Sequence, residues 1–210
     1  EYLQIKTPDD VITRHYDKDF NPSKAEGCFI DMIGFDIFKF IRMLVKSNPT
    51  SIEWLTSDII YYGKPNKIFV DFAKNSYNPI AIYYHYKSMC KNNYFKYLKS
   101  KNEVTYKKYL YAFRGLVNAR WVANKNDLPS INFSTTLSQS DFLPDYIIAK
   151  LNEIINLKKQ GKEKDIIENI VKMDEYLEKF LLDDSEAPKS RSDTDLNELN
   201  EELKKIVLNN

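Results

Sequence analysis

The sequence predicts an α+β chain, with a small mixed sheet in its N-terminal part followed by a mainly α-helical body. Three observations carry this expectation. The run Cys28-Phe29-Ile30-Asp31-Met32-Ile33 alternates like a strand, and Gly34-Phe35 then leads to Asp36, which stands where a helix N-cap belongs. From Pro79 onward, apolar residues recur three and four apart over long stretches, the period of an amphipathic helix. Five glycines and eight prolines in 210 residues are too few for a turn-rich all-β fold or for low-complexity disorder.

Composition bounds the function classes. With 43% hydrophobic and 29% charged residues, the chain can bury one large core or two small ones. Its formal net charge of +1 announces no global field for nucleic acid, so any basic site has to be a local patch. Two cysteines, Cys28 and Cys90, do not make a disulfide framework and suit a reducing cytosol. The sequence has neither an apolar run of about eighteen residues nor a secretory signal, so a cytoplasmic protein without membrane attachment is expected. The chain opens on Glu1-Tyr2-Leu3-Gln4-Ile5, already alternating and without an initiator methionine, and reads as one entered partway through a fold.

Taken in order, Tyr2 to Ile5 suggest a short strand, and Asp10 to Arg14 a second strand or sheet edge. Tyr16 to Gly27 has loop composition, in which Asp17-Lys18-Asp19 reads as solvated turn chemistry and His15 as a surface histidine. Asp31 then shares a strand face with Phe29 and Ile33, where a carboxylate is costly unless paired, hydrogen-bonded or metal-bound. A helix from Asp36 to Lys46 stops at Ser47-Asn48-Pro49, and Pro49 can open the next one. Ile59 to Tyr62 reads as a short strand, and Phe69, Phe72 and Ala73 mark a helix that Asn78-Pro79 interrupts. The following helix places Ile80, Tyr83, Tyr84, Met89, Phe95 and Leu98 on its expected buried stripe.

The helix expected from Val104 to Ala123 is the most informative. Leu110, Phe113, Val117 and Trp121 form its core face. Lys107, Tyr111, Arg114 and Asn118 form a second stripe, roughly a quarter turn away. A cation, a phenol, a guanidinium and an amide bordering the core suit the wall of a groove that contacts phosphate or nucleotide, against the plainer alternative of a solvated face. Beyond it, Asn124 to Asp141 reads as a connecting loop. Tyr146–Lys159 and Ile166–Leu182 read as an αα-hairpin turned at Gln160-Gly161-Lys162, Asp183–Thr194 as a mobile linker, and the chain ends in a helix capped by Thr194 or Asp195. The resulting division is residues 1–62, a helical domain at 63–183, a linker at 184–194 and a C-terminal helix at 195–210. No Gly-rich phosphate loop, Cys/His cluster or Ser/His/Asp set can be assembled with two histidines, which leaves carboxylate-and-metal chemistry as the open enzymatic class.

Several phrases together resemble one family. They are Gly34-Phe35-Asp36-Ile37-Phe38-Lys39, Lys46-Ser47-Asn48-Pro49 with Glu53-Trp54-Leu55, and His85-Tyr86 with Met89 and Lys91-Asn92-Asn93-Tyr94. Lys107 to Arg114, Arg120-Trp121 and Leu157-Lys158-Lys159-Gln160-Gly161 complete the series, which runs from about Tyr2 to about Phe180. The order and spacing resemble the DNA polymerase beta-like nucleotidyltransferases associated with RNA repair and RNA ligase operons. The resemblance implies transfer of a nucleoside monophosphate from a nucleoside triphosphate to tRNA, another RNA or another hydroxyl acceptor, with Mg²⁺ or Mn²⁺. In that superfamily a Gly-Ser turn holds the triphosphate, and three carboxylates, two from an Asp-x-Asp motif, bind two metals.

On this resemblance Asp31 matches the third carboxylate, as metal ligand and catalytic residue, while Lys107, Tyr111, Arg114 and Asn118 line the nucleotide or acceptor groove. The chain contains no Gly-Ser pair, and Asp17-Lys18-Asp19 lies in the wrong place for the missing motif, whose counterpart precedes Glu1 in the family. These 210 residues alone are therefore expected to be inactive, as the remnant of a small nucleotidyltransferase whose partner would be an N-terminal fragment or a second copy. The alternative class is a catalytically inactive nucleotidyltransferase fold acting as a binding or regulatory protein, with its 15 tyrosines and 12 phenylalanines supplying an interface.

Overall fold

The computed structural model describes residues 11–12, 34–60, 63–101, 103–189 and 194–208. Asp31, the expected strand around it, His15 and the Asp17-Lys18-Asp19 turn lie outside the described residues. The chain divides between Lys46 and Ser47, and the two parts are taken separately.

In the first part, β1 (Val11–Ile12) pairs antiparallel with β2 (Gly34–Phe35), Val11 opposite Phe35 and Ile12 opposite Gly34. Helix α1 (Ile37–Val45) follows. Its N-cap is Asp36, as expected: Oδ1 accepts from the backbone N–H groups of Phe38 at 3.0 Å and Lys39 at 3.1 Å, satisfying two of the donors that every helix start leaves over. Ile41 and Leu44 form its buried stripe.

Asparagine caps punctuate the second part. Asn48, Asn66 and Asn78 begin α2 (Pro49–Thr56), α3 (Lys67–Asn75) and α4 (Pro79–Tyr97), each accepting from backbone N–H groups of the first turn. Pro49 and Pro79 sit where a missing N–H costs nothing. Ile59 and Ile60, expected in a strand, have no strand partner among the described residues and are 68% and 53% exposed. The Ile59 N–H instead donates to Ser57 Oγ at 3.1 Å, a local turn bond that competes with strand pairing.

The core is built on α4 and α5 (Tyr106–Lys125), which lie side by side. Helix α5 is buried nearly all round, through Tyr109, Ala112, Phe113, Leu116, Val117, Ala119, Trp121 and Val122. Phe113, Val117 and Trp121 of its expected core face are buried, while Leu110 is half-buried. The buried face of α4 differs from the expected stripe. Ile82, Tyr83, Tyr86, Lys87, Cys90, Tyr94 and Leu98 face inward, whereas Tyr84 and Phe95 are 42% and 49% exposed. Hydrophobic spacing misplaced this face because α4 buries polar-tipped side chains whose tips find partners: Tyr86 donates to Glu53 at 2.9 Å, Tyr94 to Glu178 at 2.8 Å, and Lys87 to Asp184 at 2.6 Å.

The C-terminal half departs further from the expected hairpin. Within the stretch read as a loop, Asn132 caps the six-residue α6 (Phe133–Ser138), which buries Thr136 and Leu137. Helix α7 (Asp145–Lys159) ends near Gly161, whose φ of 78° takes a left-handed conformation that L side chains resist, and a 3-10 turn follows at Lys162–Lys164. Ile166 and Ile167, expected at the start of a helix, form β4 (Ile166–Ile167) antiparallel to β3 (Val104–Thr105). Helix α8 (Val171–Leu182) begins only afterwards. The Tyr109 hydroxyl explains that delay, donating to Asp174 at 2.9 Å and accepting from the Ile170 N–H at 2.8 Å, which pins the helix start from outside.

The near end of the segment expected to be a mobile linker is held. Lys87 Nζ donates to the Asp183 carbonyl and to Asp184, each at 2.6 Å, and Arg120 grips Glu186 through two bonds of 2.8 and 2.7 Å. Helix α9 (Asn197–Leu208) packs on α3, burying Leu199, and Glu202 accepts from Asn66 at 2.6 Å. Asp195 accepts from the Asn197 N–H at 2.9 Å, and Thr194 donates to the Ser76 carbonyl at 3.5 Å. The whole is an α+β chain dominated by helices, and no described helix is long and apolar enough to cross a membrane.

Candidate functional site

The polar stripe of α5 opens onto a cavity of about 370 Å³. Lys107, Leu110, Tyr111 and Arg114 form one wall, spaced so that successive turns of α5 present them to the same side. Asn132, Phe133 and Ser134 at the start of α6 form a second wall. Ile155, Lys158 and Lys159, in the last turns of α7, form the third. Lysines in a last turn are favoured by the partial negative charge of the carbonyls there, so α7 gathers cations at the end where it meets the cavity.

Four cations therefore converge on one space, and the two nearby carboxylates do not neutralise them all. Glu163 lies 3.8 Å from Lys107 and 3.6 Å from Lys158, beyond hydrogen-bond reach of either. Its Oε2 is buried and makes no hydrogen bond. Arg114 Nη2 lies 3.4 Å from Glu53 Oε2, and Glu53 Oε1 accepts from Tyr86. Lys159 has no ion pair among the described residues. The Lys107 ammonium stands 5.9 Å from the centre of the Tyr111 ring, and Tyr111 is 43% exposed. Loosely held cations, amide and hydroxyl groups, and two aromatic rings suit an anion that carries a planar group.

Asn118, the fourth member of the stripe, does not reach this space. It is buried behind Arg114, on the side where Tyr86 and Glu53 meet. Burial and the adjoining Glu53 charge push the Tyr86 phenol well above its usual range, so it stays a neutral donor that holds the carboxylate in place. Sequence periodicity missed Lys158, Lys159, Glu163, Glu53 and the α6 residues, because they come from other elements. Two of the family-like phrases, Glu53-Trp54-Leu55 and Leu157 to Gly161, did contain Glu53, Lys158 and Lys159.

Among the described residues, no three His, Cys, Asp or Glu side chains come together where they could hold a metal. Asp31 lies outside those residues.

The fold is a helical scaffold around a cavity lined by four cations and two aromatic rings. Residues 1–205 match RlaP, the RNA repair pathway DNA polymerase beta family, and the chain belongs to that family. A Bacillus subtilis (strain 168) protein, described as uncharacterized protein YcgL, is 28% identical over 182 residues, covering 86% of this chain and 69% of YcgL. No solved structure matches.

Proposed function

We propose that the chain is part of a nucleotidyltransferase that moves a nucleoside monophosphate from a nucleoside triphosphate to an RNA or other hydroxyl acceptor. The observation that carries this reading is the convergence of Lys107, Arg114, Lys158 and Lys159 on one cavity that also exposes Tyr111, in a member of a polymerase beta-like RNA repair family. The acceptor oxygen bonds to the α-phosphorus, the bond from that phosphorus to the β-phosphate bridge breaks, and pyrophosphate leaves while the hydroxyl proton passes to a base.

In this scheme Lys107, Lys158 and Lys159 attract and fix phosphate oxygens, and Arg114 binds one through its planar fork. The Tyr111 ring supports a base or ribose. Glu53, itself held by the Tyr86 hydroxyl, pairs with Arg114, so the guanidinium is already positioned before binding. Asp31 is proposed as metal ligand and catalytic carboxylate on the family resemblance, where Mg²⁺ or Mn²⁺ would offset the charge on the departing pyrophosphate.

Isothermal titration with a nucleoside triphosphate tests the cavity without depending on turnover. R114A is expected to weaken binding about tenfold, the size of one lost charge-assisted bond to phosphate, and R114K to recover part of it. Equal binding by wild type and R114A would remove the cavity from the reading. Transfer is tested with the chain supplied with the Gly-Ser and Asp-x-Asp elements that the family resemblance calls for, together with an α-labelled triphosphate, Mg²⁺ and an RNA acceptor. Label in the RNA is the expected result, and none is expected from these 210 residues alone. Binding without transfer would instead place the chain in the regulatory class.

A further inference from the structure

Between Asp71 and Asp127 the chain carries one acid, Glu103, against nine lysines and two arginines, although the whole chain has a net charge of only +1. This segment runs from the end of α3 through the α4–α5 pair. Six of its eleven cations are engaged among the described residues: Lys87 with Asp184, Lys99 with Glu178, Lys107 with Glu163, Arg114 with Glu53, Arg120 with Glu186 and Lys125 with Asp141. Lys91, Lys96, Lys101 and Lys108, toward the end of the pair where α4 stops and α5 starts, have no ion pair among the described residues.

Two of these lysines frame an aromatic ring. Lys108 Nζ lies 3.6 Å from the centre of the Tyr97 ring and Lys96 Nζ lies 5.1 Å from it. A hydrogen bond with Lys96, and the charges of both lysines, hold the Tyr97 phenol below its usual range, which fits the same geometry. Lys108 stands three residues before Tyr111 on α5, and Lys107 four before it, so both adjoin Tyr111 on the helix surface. A strip therefore runs from the cavity across Tyr111 and Lys108 to Tyr97 and Lys96, alternating ring and cation.

We propose that this strip is a second binding site, a stacking platform for an unpaired RNA strand whose end reaches the mouth of the cavity, resting for the choice of RNA on the function proposed above. Rings interleaved with cations match the repeat of a single strand, in which unstacked bases alternate with phosphates. A base that settles on Tyr97 displaces an ammonium from the ring, and the displaced lysine then meets the adjoining phosphate. A paired duplex would offer phosphates to the lysines but no free base face to the rings, and a lipid surface would leave the rings no stacking partner.

Fluorescence anisotropy on the full chain tests this with a labelled unstructured RNA of about twelve nucleotides, a blunt duplex of equal length and vesicles containing phosphatidylserine. The single strand is expected to bind at least about tenfold more tightly than the duplex, Y97L to weaken it about tenfold, and Y97F to bind as wild type. K96Q/K108Q should reduce the slope of log affinity against log salt by about 1.4, at about 0.7 per lost phosphate contact on a single strand. Titration of Y97L with nucleoside triphosphate should match wild type. Equal binding of duplex or vesicles, or an unchanged affinity for Y97L with its fold intact by circular dichroism, overturns the platform. Loss of triphosphate binding by R114A together with unchanged Y97L affinity would leave the cavity standing and remove the strip. Tyr97-dependent RNA binding by a protein that takes no triphosphate would do the reverse.

Discussion

Gly115 is where the central helix pair is most sensitive to a single methyl group. A Cβ placed there would stand 2.6 Å from the Cys90 backbone nitrogen, 2.7 Å from the Tyr86 carbonyl oxygen and 2.9 Å from Cys90 Cα. Ordinary contact begins near 3.4 Å, so the shortfall reaches about 0.8 Å. All three neighbours are backbone atoms of α4, and no side chain can rotate aside to relieve the clash. G115A must therefore push α4 and α5 apart or bend one of them. Overpacking of this kind costs up to about 3 kcal/mol, while replacing glycine by alanine within a helix returns about 1 kcal/mol. The net loss is about 2 kcal/mol, which for a chain of this length lowers Tm by about 4–8 °C. Thermal unfolding followed by circular dichroism at neutral pH measures it directly. A Tm equal to or above wild type would show that only the helix-propensity gain operates, and that the close approach of α4 and α5 is wrong.

Two further outcomes follow from buried polar groups. Burial pushes the Cys90 thiol up from 9.0 to about 12, and burial likewise raises the phenols of Tyr83, Tyr94 and Tyr109. These groups keep their protons more firmly when folded, so their contribution to stability is complete below their unfolded pKa values and is lost as pH rises through the folded ones. Tm should therefore fall steadily between about pH 9 and about pH 12, and Cys90 should resist a thiol reagent at pH 8 until the protein unfolds; a flat profile or prompt labelling would contradict this. K87M keeps the packed stem but removes both 2.6 Å bonds to Asp183 and Asp184, so limited proteolysis within residues 183–189 should accelerate about tenfold. Unchanged cleavage would show that the contacts of Lys87 do not hold this segment.

Much of the chain could be read without coordinates where the signal is local. The Asp36 cap, the Pro49 and Pro79 helix starts, the long α5 and three members of its polar stripe depend on neighbours within four residues, and such neighbours are visible in sequence. Where burial depends on a distant partner, the periodic reading failed. Tyr86, Lys87 and Tyr94 face inward only because Glu53, Asp184 and Glu178 arrive from elements 33, 97 and 84 residues away to satisfy their polar tips. Ile166 and Ile167 are strand because Val104 and Thr105 offer an edge, and α8 starts late because Tyr109 holds the preceding backbone.

The sequence by itself determined that the chain is α+β and mostly helical, and it placed Lys107, Tyr111 and Arg114 on one stripe of one helix, since a 3.6-residue period fixes which side chains share a face. Tertiary structure alone decided what that stripe faces. It turned Asn118 inward, brought Lys158, Lys159 and the α6 residues opposite, and set Lys108 on the Tyr97 ring, because a cavity between helices is a property of their packing and of no single segment.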